Sequence, residues 1–131
     1  MGHNILYIED NPDNLLLVKR TLEAYGYHLL EAVNGQDGVA VAEEQDVDLI
    51  LLDINLPDID GYEVARQLRS SKKTGLKYIP IIAITANALK GDAEKALSAG
   101  CDVYMSKPIN IRELRARVEG FVPSPKVSNG H

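Results

Sequence analysis

Four short apolar runs of this chain each stop abruptly at a polar residue. The runs cover residues 5–8, 49–52, 81–84 and 103–106, and the residues after them are Glu9-Asp10, Asp53, Thr85 and Lys107-Pro108. Short apolar runs without alternating polar residues are typical of parallel strands that are buried on both faces. Sites in open α/β sheets lie beyond the carboxyl ends of the strands. We therefore expect three carboxylates, one hydroxyl group and one ammonium group to converge in one crevice.

Segments with helical periodicity follow the apolar runs, so that strand and helix patterns alternate five times along the chain. The first helix is predicted to begin at Asn11-Pro12, where Asn caps the helix and Pro takes its first position. Asp60 and Asn110 are the predicted N-caps of the third and fifth helices, each with Glu three residues later. The fourth helix is predicted over Leu89–Ala99. The predicted inward face of the fifth helix comprises Ile111, Leu114, Val118 and Phe121.

Strands that alternate with helices form right-handed βαβ units around a parallel sheet. Five such units in 131 residues favour an α/β fold of the flavodoxin-like (βα)5 type, a three-layer sandwich with strand order 2-1-3-4-5. This order places the first strand beside the third. It therefore brings Glu9 and Asp10 next to Asp53, although they are far apart in the sequence.

The composition limits the classes of function that are open to the chain. With 45% hydrophobic and 25% charged residues, it is expected to form one domain, over residues 1–121, followed by a disordered tail at 122–131. The net charge of −5 and the lack of a basic patch argue against nucleic-acid binding, and no apolar run is long enough to span a membrane. The single cysteine, Cys101, and a first strand that begins without a leader segment favour a cytoplasmic protein.

Glu9, Asp10 and Asp53 are predicted to form a magnesium site. Three carboxylates in one crevice repel each other, so either their pKa values rise or a cation neutralises them. Hard oxygen ligands, with positions left open for water and phosphate, suit Mg²⁺. Acidic residues also favour helix N-termini, and for Glu9-Asp10 alone a capping role is the better explanation. The neighbouring Asp53 makes the metal site the preferred interpretation.

Asp53, Lys107 and Thr85 together favour phosphoryl chemistry. A carboxylate can act as a nucleophile that forms an aspartyl-phosphate, and phosphoryl transfer then needs mainly positioning and charge stabilisation. A cis peptide bond before Pro108 would aim Lys107 into the crevice, where its ammonium group can bind phosphate. The Thr85 hydroxyl can donate to a phosphoryl oxygen, although a β-branched residue that closes a strand is an equally good explanation.

Four motifs of the chain match one protein family in order and spacing. They are Glu9-Asp10, residues 53–61, Thr85-Ala86 and Lys107-Pro108. With these motifs the chain resembles the receiver domains of two-component response regulators, over residues 4–121, and especially single-domain regulators of the chemotaxis, sporulation-phosphorelay and cell-division types. The resemblance implies that Asp53 accepts a phosphoryl group from a histidine kinase or a His-containing phosphotransfer protein.

The resemblance also implies how the crevice is used. Mg²⁺ would be bound directly by Asp10, Asp53 and the backbone carbonyl of Asn55, with Glu9 acting through water, and Lys107 would contact the phosphoryl oxygens. The domain would catalyse its own phosphorylation and dephosphorylation without being an enzyme that turns over a separate substrate.

We also predict a switch between two states, in which the resemblance implies the roles of two residues. Thr85 would contact the phosphoryl group, and Tyr104 has the position of the family's switch aromatic residue. Movement of Thr85 would let Tyr104 rotate inward. A downstream protein would then recognise the changed face of the fourth helix, fifth strand and fifth helix.

Several alternatives remain open at the level of sequence. A receiver domain excised from a hybrid sensor kinase would carry the same motifs. A phosphohydrolase of the haloacid dehalogenase type also uses a strand-end Asp with Mg²⁺, but it needs a second acid where this chain has Asn55. A flavin-binding module of the same topology needs a phosphate-cradling loop where Glu9-Asp10 would repel phosphate. A degenerate scaffold that is never phosphorylated is disfavoured by the intact set of site residues.

Overall fold

A five-stranded parallel sheet forms the centre of the computed structural model, which describes residues 3–86 and 91–124. The strands are β1 (Asn4–Ile8), β2 (His28–Ala32), β3 (Leu49–Asp53), β4 (Ile81–Thr85) and β5 (Val103–Ser106). The helices are α1 (Pro12–Ala24), α2 (Gly35–Glu44), α3 (Gly61–Arg69), α4 (Asp92–Ala99) and α5 (Ile111–Phe121). The spatial order is β2-β1-β3-β4-β5, with every neighbouring pair parallel, so the predicted flavodoxin-like order is confirmed.

Two apolar clusters lie on opposite faces of the sheet and make the three layers. One cluster packs α2, α3 and α4 against the sheet, and the other packs α1 and α5. Successive residues of β1 alternate between them, because side chains of a strand point to opposite faces in turn: Leu6 and Ile8 belong to the first cluster, Ile5 and Tyr7 to the second. The interior strands β3 and β4 are buried along their whole length, which explains their unbroken apolar sequences.

The predicted helix starts at Asn11, Asp60 and Asn110 are confirmed. Each side chain accepts a hydrogen bond from the backbone N–H three residues later, at distances of 3.0, 2.8 and 3.0 Å. These bonds satisfy donors that the first turn of a helix leaves without a partner. Within the described residues no helix has the length and apolar character needed to cross a membrane.

The described part of the fourth helix is α4, which begins at Asp92. Gly91 precedes α4 with a positive φ of 98°, and the helix runs over Asp92–Ala99 before Gly100 ends it with a φ of 113°. Glycine suits both positions because the left-handed region strains other residues. The predicted start at Leu89 lies outside the described residues.

The predicted inward face of α5 is wrong at its last position. Leu114 and Val118 are fully buried and Ile111 is half-buried, but Phe121 is 40% exposed. Val122, four residues after Val118, takes the buried place instead. A spacing of three or four residues keeps a side chain on the same helix face, and here the longer spacing packs against the core.

The first residues of the predicted tail contact the domain. The Tyr27 hydroxyl donates to the Val122 carbonyl over 2.5 Å, and the hydroxyl of the buried Ser124 donates to the Tyr25 carbonyl. The guanidinium group of Arg115 lies over the ring of Tyr25, 4.1 Å from its centroid, and donates to its hydroxyl. Residues 122–124 are therefore attached to the corner formed by α1, β2 and α5, while residues 125–131 lie outside the described residues.

Candidate phosphorylation and metal site

The three predicted carboxylates meet at the carboxyl end of the sheet. Ile8 of β1 pairs with Leu52 of β3, so the residues that follow them, Glu9 and Asp53, lie side by side. One carboxylate oxygen each from Glu9, Asp10 and Asp53 lie within 4.8 Å of one another. Glu9 and Asp53 are buried, whereas Asp10 is exposed at the mouth of the crevice. This arrangement brings together hard oxygen donors with one side open to solvent.

The ammonium group of Lys107 lies between two of these carboxylates. Its Nζ atom is 3.2 Å from Oε1 of Glu9 and 3.2 Å from Oδ2 of Asp53. The Lys107–Pro108 peptide bond is cis, and the Lys107 backbone N–H donates to the carbonyl of Thr85 over 2.8 Å. The loop after β5 is thus tied to the end of β4, and its lysine points into the crevice.

The carboxylate of Glu9 is surrounded by hydrogen-bond donors. Oε1 accepts from the Tyr7 hydroxyl at 2.9 Å and from Nδ2 of Asn14 at 3.3 Å, and Oε2 accepts from the Asn11 backbone N–H at 3.2 Å. Tyr7 and Asn14 are not among the site residues predicted from the sequence. Tyr7 could have been found from its position, because a residue two places before Glu9 on a strand points to the same face.

Asp53 and Thr85 are both buried at the ends of their strands, with 1% and 3% of their surface exposed. Oδ1 of Asp53 accepts from the Asn55 backbone N–H at 3.0 Å, and the Asn55 side-chain oxygen accepts from the Ala86 N–H at 3.3 Å. The residue after Thr85 is therefore linked to the loop after Asp53, so the ends of β3 and β4 are joined across the crevice.

The loop between β3 and α3 is held by its own acid, Asp58. The two oxygens of this carboxylate accept from the Gly35 N–H at 2.7 Å and the Gln36 N–H at 2.9 Å, which caps the start of α2 from a distant part of the sequence. The end of the same loop packs very closely, because a Cβ atom on Gly61 would lie 2.6 Å from Cα of Ile54 and 2.8 Å from the Asp53 carbonyl oxygen. These contacts fix the backbone that carries Asp53 and Asn55.

Tyr104 lies on β5 at the side of the sheet that α4 covers. It pairs with Ala83 of β4, is partly buried, and packs against the cluster of α2, α3 and α4. Thr85 pairs with Ser106 two residues further along the same two strands. Tyr104 and Thr85 therefore lie on neighbouring strands, two residues apart along the strand direction.

The two buried carboxyl groups differ in their pKa. Burial raises the pKa of Asp53 to about 6, and the adjacent Glu9 adds to this effect while the Asn55 N–H and Lys107 oppose it. Burial also disfavours ionisation of Glu9, but hydrogen bonds from the Asp53 carboxyl, the Asn11 N–H and Tyr7 lower its pKa. Asp53 and Glu9 raise the pKa of Lys107 in spite of its burial. Of the two acids, Asp53 is the one that more readily holds a proton.

Removal of the Asp53 charge should stabilise the metal-free protein at neutral pH. Because the folded pKa is raised from 3.8 to about 6, the stability contributed by protonated Asp53 is full below a pH of about 4 and is lost as the pH rises through about 6. Asp53→Asn should therefore unfold like wild type at a pH of about 4 and exceed it by at most about 3 kcal/mol above a pH of about 6. Thermal melts in EDTA across this range measure the difference. A difference that does not depend on pH would contradict the prediction.

A family model described as the response regulator receiver domain matches residues 5–119. The chain belongs to this family. Its fold, with strand order 2-1-3-4-5, and its acidic crevice agree with that membership. The recognition made from four short motifs is confirmed, and the function of the chain is that of a response regulator receiver in two-component signalling.

Relatives extend over nearly the whole of this receiver domain. The polar-differentiation response regulator DivK of Brucella anthropi is 37% identical over 122 residues, which is 93% of this chain and 98% of the relative. The receiver domain of a sensor histidine kinase from Pseudomonas aeruginosa PAO1, solved with a magnesium ion in its active site cleft, superposes with a TM-score of 0.83. It is 39% identical and covers 92% of this chain and 98% of its own.

A further similar structure contains a phosphotransfer partner. It is the receiver domain of Ssk1 from Saccharomyces cerevisiae, crystallised with the histidine phosphotransfer signaling protein Ypd1. The likeness has a TM-score of 0.83 and 31% identity, and covers 92% of this receiver domain and 89% of the other chain. Receiver domains of this kind are signalling modules that interact with kinases and phosphotransfer proteins.

Proposed function

We propose that this receiver domain accepts a phosphoryl group on Asp53 and passes the signal to a downstream protein. The observation that carries the proposal is the position of Asp53: a buried carboxylate at the end of a central strand, 3.2 Å from the ammonium group of Lys107 and beside two further acids. A capping or structural aspartate does not need such surroundings. The phosphoryl donor is a histidine kinase or a His-containing phosphotransfer protein.

The reaction is a transfer between two side chains. A carboxylate oxygen of Asp53 attacks the phosphorus atom of a phosphohistidine, the new P–O bond forms as the P–N bond breaks, and the imidazole leaves with its electron pair. Hydrolysis of the acyl phosphate by water restores Asp53 and releases inorganic phosphate. Lys107 stabilises the charge of the transferred group, and the Thr85 hydroxyl donates to one of its oxygens.

Mg²⁺ fits the donor set of the crevice. Asp10, Asp53 and the backbone carbonyl of Asn55 would hold the ion directly, with Glu9 acting through water. The hydrogen bonds from Tyr7, Asn11 and the Asn14 side chain, together with the contact to Lys107, leave Glu9 little capacity to bind a metal directly, which supports its indirect role. When bound, the ion neutralises the carboxylates and the phosphoryl oxygens. The relative from Pseudomonas aeruginosa has magnesium in its own cleft.

Mg²⁺ should stabilise the folded domain. A ligand that binds only the native state adds about 2.7 kcal/mol at a concentration one hundred times its dissociation constant. Thermal melts with millimolar Mg²⁺ and with EDTA should therefore differ for wild type, and Asp10→Asn should shrink that difference. Asp13→Asn is the matched control, because Asp13 is an exposed acid in the first turn of α1 outside the cluster. Identical wild-type melts in both conditions would count against the metal site.

The remaining features support a protein partner in the cytoplasm. Cys101 is a buried free thiol, which suits a reducing compartment, and the net charge of −5 does not favour a nucleic acid as the target. The haloacid dehalogenase alternative has less support, because Asn55 stands where its second acid would be. Output through the α4–β5–α5 face is the form of signalling that the position of Tyr104 supports.

A further inference from the structure

The hydroxyl group of Tyr7 lies at the floor of the acidic crevice. Tyr7 and Glu9 are fully buried on the same face of the sheet, and the hydroxyl donates to Oε1 of Glu9 over 2.9 Å. A phenol keeps its proton at neutral pH, so the Tyr7 hydroxyl acts as a donor to the Glu9 carboxylate.

Oε1 of Glu9 has a second strong donor in Lys107. The proposed chemistry also requires this lysine to contact the phosphoryl group on Asp53. Nζ of Lys107 is 3.2 Å from Glu9 and 3.2 Å from Asp53. A phosphoryl group on Asp53 would offer this ammonium group further acceptor oxygens, and turning toward them would weaken its contact with Glu9. A buried carboxylate that loses a donor is destabilised unless another donor stays in place.

We propose that Tyr7 is a positioning residue of the phosphorylation site, a role that rests on the proposed function of Asp53. Its hydroxyl holds Glu9 in place while Lys107 turns toward the phosphoryl group. The other two donors are less suited to this task. The Asn11 N–H binds the opposite oxygen, and the Asn14 amide makes the longer contact of 3.3 Å from a partly exposed helix turn.

Loss of the Tyr7 hydroxyl should weaken Mg²⁺ binding rather than the chemistry itself. Without it, Glu9 depends more strongly on Lys107, which then competes better with the metal for the carboxylates. Glu9 also loses one of the contacts that fix its conformation. Tyr7→Phe should raise the Mg²⁺ concentration needed for half-maximal phosphorylation about tenfold, equal to about 1.4 kcal/mol. The rate at saturating Mg²⁺ should stay close to that of wild type.

Tyr27→Phe provides a matched control. Tyr27 is also a buried tyrosine, and its hydroxyl donates to the Val122 carbonyl beside the end of α5, not to a residue of the crevice. Both variants remove one hydroxyl group and one buried hydrogen bond. A purely structural role of Tyr7 would therefore make the two variants alike in stability and in Mg²⁺ dependence.

The test uses the full chain with acetyl phosphate as the phosphodonor and intact mass as the readout, over a range of Mg²⁺ concentrations. Mg²⁺ binding is followed separately by tyrosine emission, since the chain has six tyrosines and no tryptophan. A raised Mg²⁺ requirement in Tyr7→Phe, with Tyr27→Phe equal to wild type, supports the inference. Equal Mg²⁺ dependence of all three proteins overturns it while the proposed function stands. A wild-type chain that is never phosphorylated overturns the proposed function, and the inference with it.

A second measurement uses the wild-type protein and therefore needs no substitution. In protein labelled with ¹³C at the tyrosine Cζ atom, the Tyr7 signal should move when Mg²⁺ and a beryllofluoride mimic of the phosphoryl group are added, because the hydrogen bond to Glu9 changes as Lys107 turns away. The Tyr27 signal should stay in place. A Tyr7 signal that does not move under saturating conditions overturns the inference.

Discussion

Asp53→Asn should abolish phosphorylation of the chain. With Mg²⁺ and acetyl phosphate, wild type should gain one phosphoryl group, which base and hydroxylamine remove as they do from other acyl phosphates. The amide of Asn lacks the nucleophilic oxygen that forms the bond. Glu9 is the other buried acid that contacts Lys107, but its oxygens already accept bonds from four groups, so it should not replace Asp53 as the acceptor. Intact-mass spectrometry measures the adduct directly.

Two comparisons make this experiment specific to Asp53. Asp13→Asn changes an exposed acid of α1 in the same chemical way and should be phosphorylated like wild type. Folding of Asp53→Asn is checked by its thermal melt, which in EDTA at neutral pH should lie above that of wild type. A full adduct on a folded Asp53→Asn chain would show that the acceptor lies elsewhere.

The order of the strands and the position of the crevice could be predicted because they depend on local patterns. Asn11, Asp60 and Asn110 mark helix starts through bonds that span three residues, and the structure has all three. Strand order followed from the number of βα units, and strand order alone places Glu9 beside Asp53. These inferences need no knowledge of side-chain conformations.

The features that were not predicted depend on contacts between residues distant in the sequence, or on which of two neighbouring residues packs against the core. Tyr7 appears in the sequence as one member of an apolar run, and only its hydroxyl position relates it to Glu9. Asp58 caps the start of α2 from the loop between β3 and α3, through bonds that the sequence of neither segment indicates. Phe121 and Val122 both fit the helical repeat after Val118, and packing at the corner near Tyr27 selected Val122.

Phosphorylation should change the face formed by α4, β5 and α5, in addition to the crevice itself. A phosphoryl group on Asp53 offers acceptor oxygens to Thr85, whose hydroxyl would move toward it. This movement frees space beside β4, and Tyr104 on neighbouring β5 can turn inward because it is only partly buried. The change is a population shift between two packings, for which a coupling of about 1–3 kcal/mol is typical.

Amide chemical shifts with and without beryllofluoride provide the test of this switch. The signals of Thr85, Tyr104 and Asp92–Ala99 should move together with those around Asp53. Asp53→Asn should show none of these changes under the same conditions, since it lacks the carboxylate that binds the mimic. Tyr104→Phe should still switch, because the proposed movement depends on the size of the ring and its half-buried place on β5 rather than on its hydroxyl. Changes confined to the loops around Asp53, with α4 and Tyr104 unmoved, would show that Tyr104 serves only to cover the edge of the sheet and that the signal leaves by another surface.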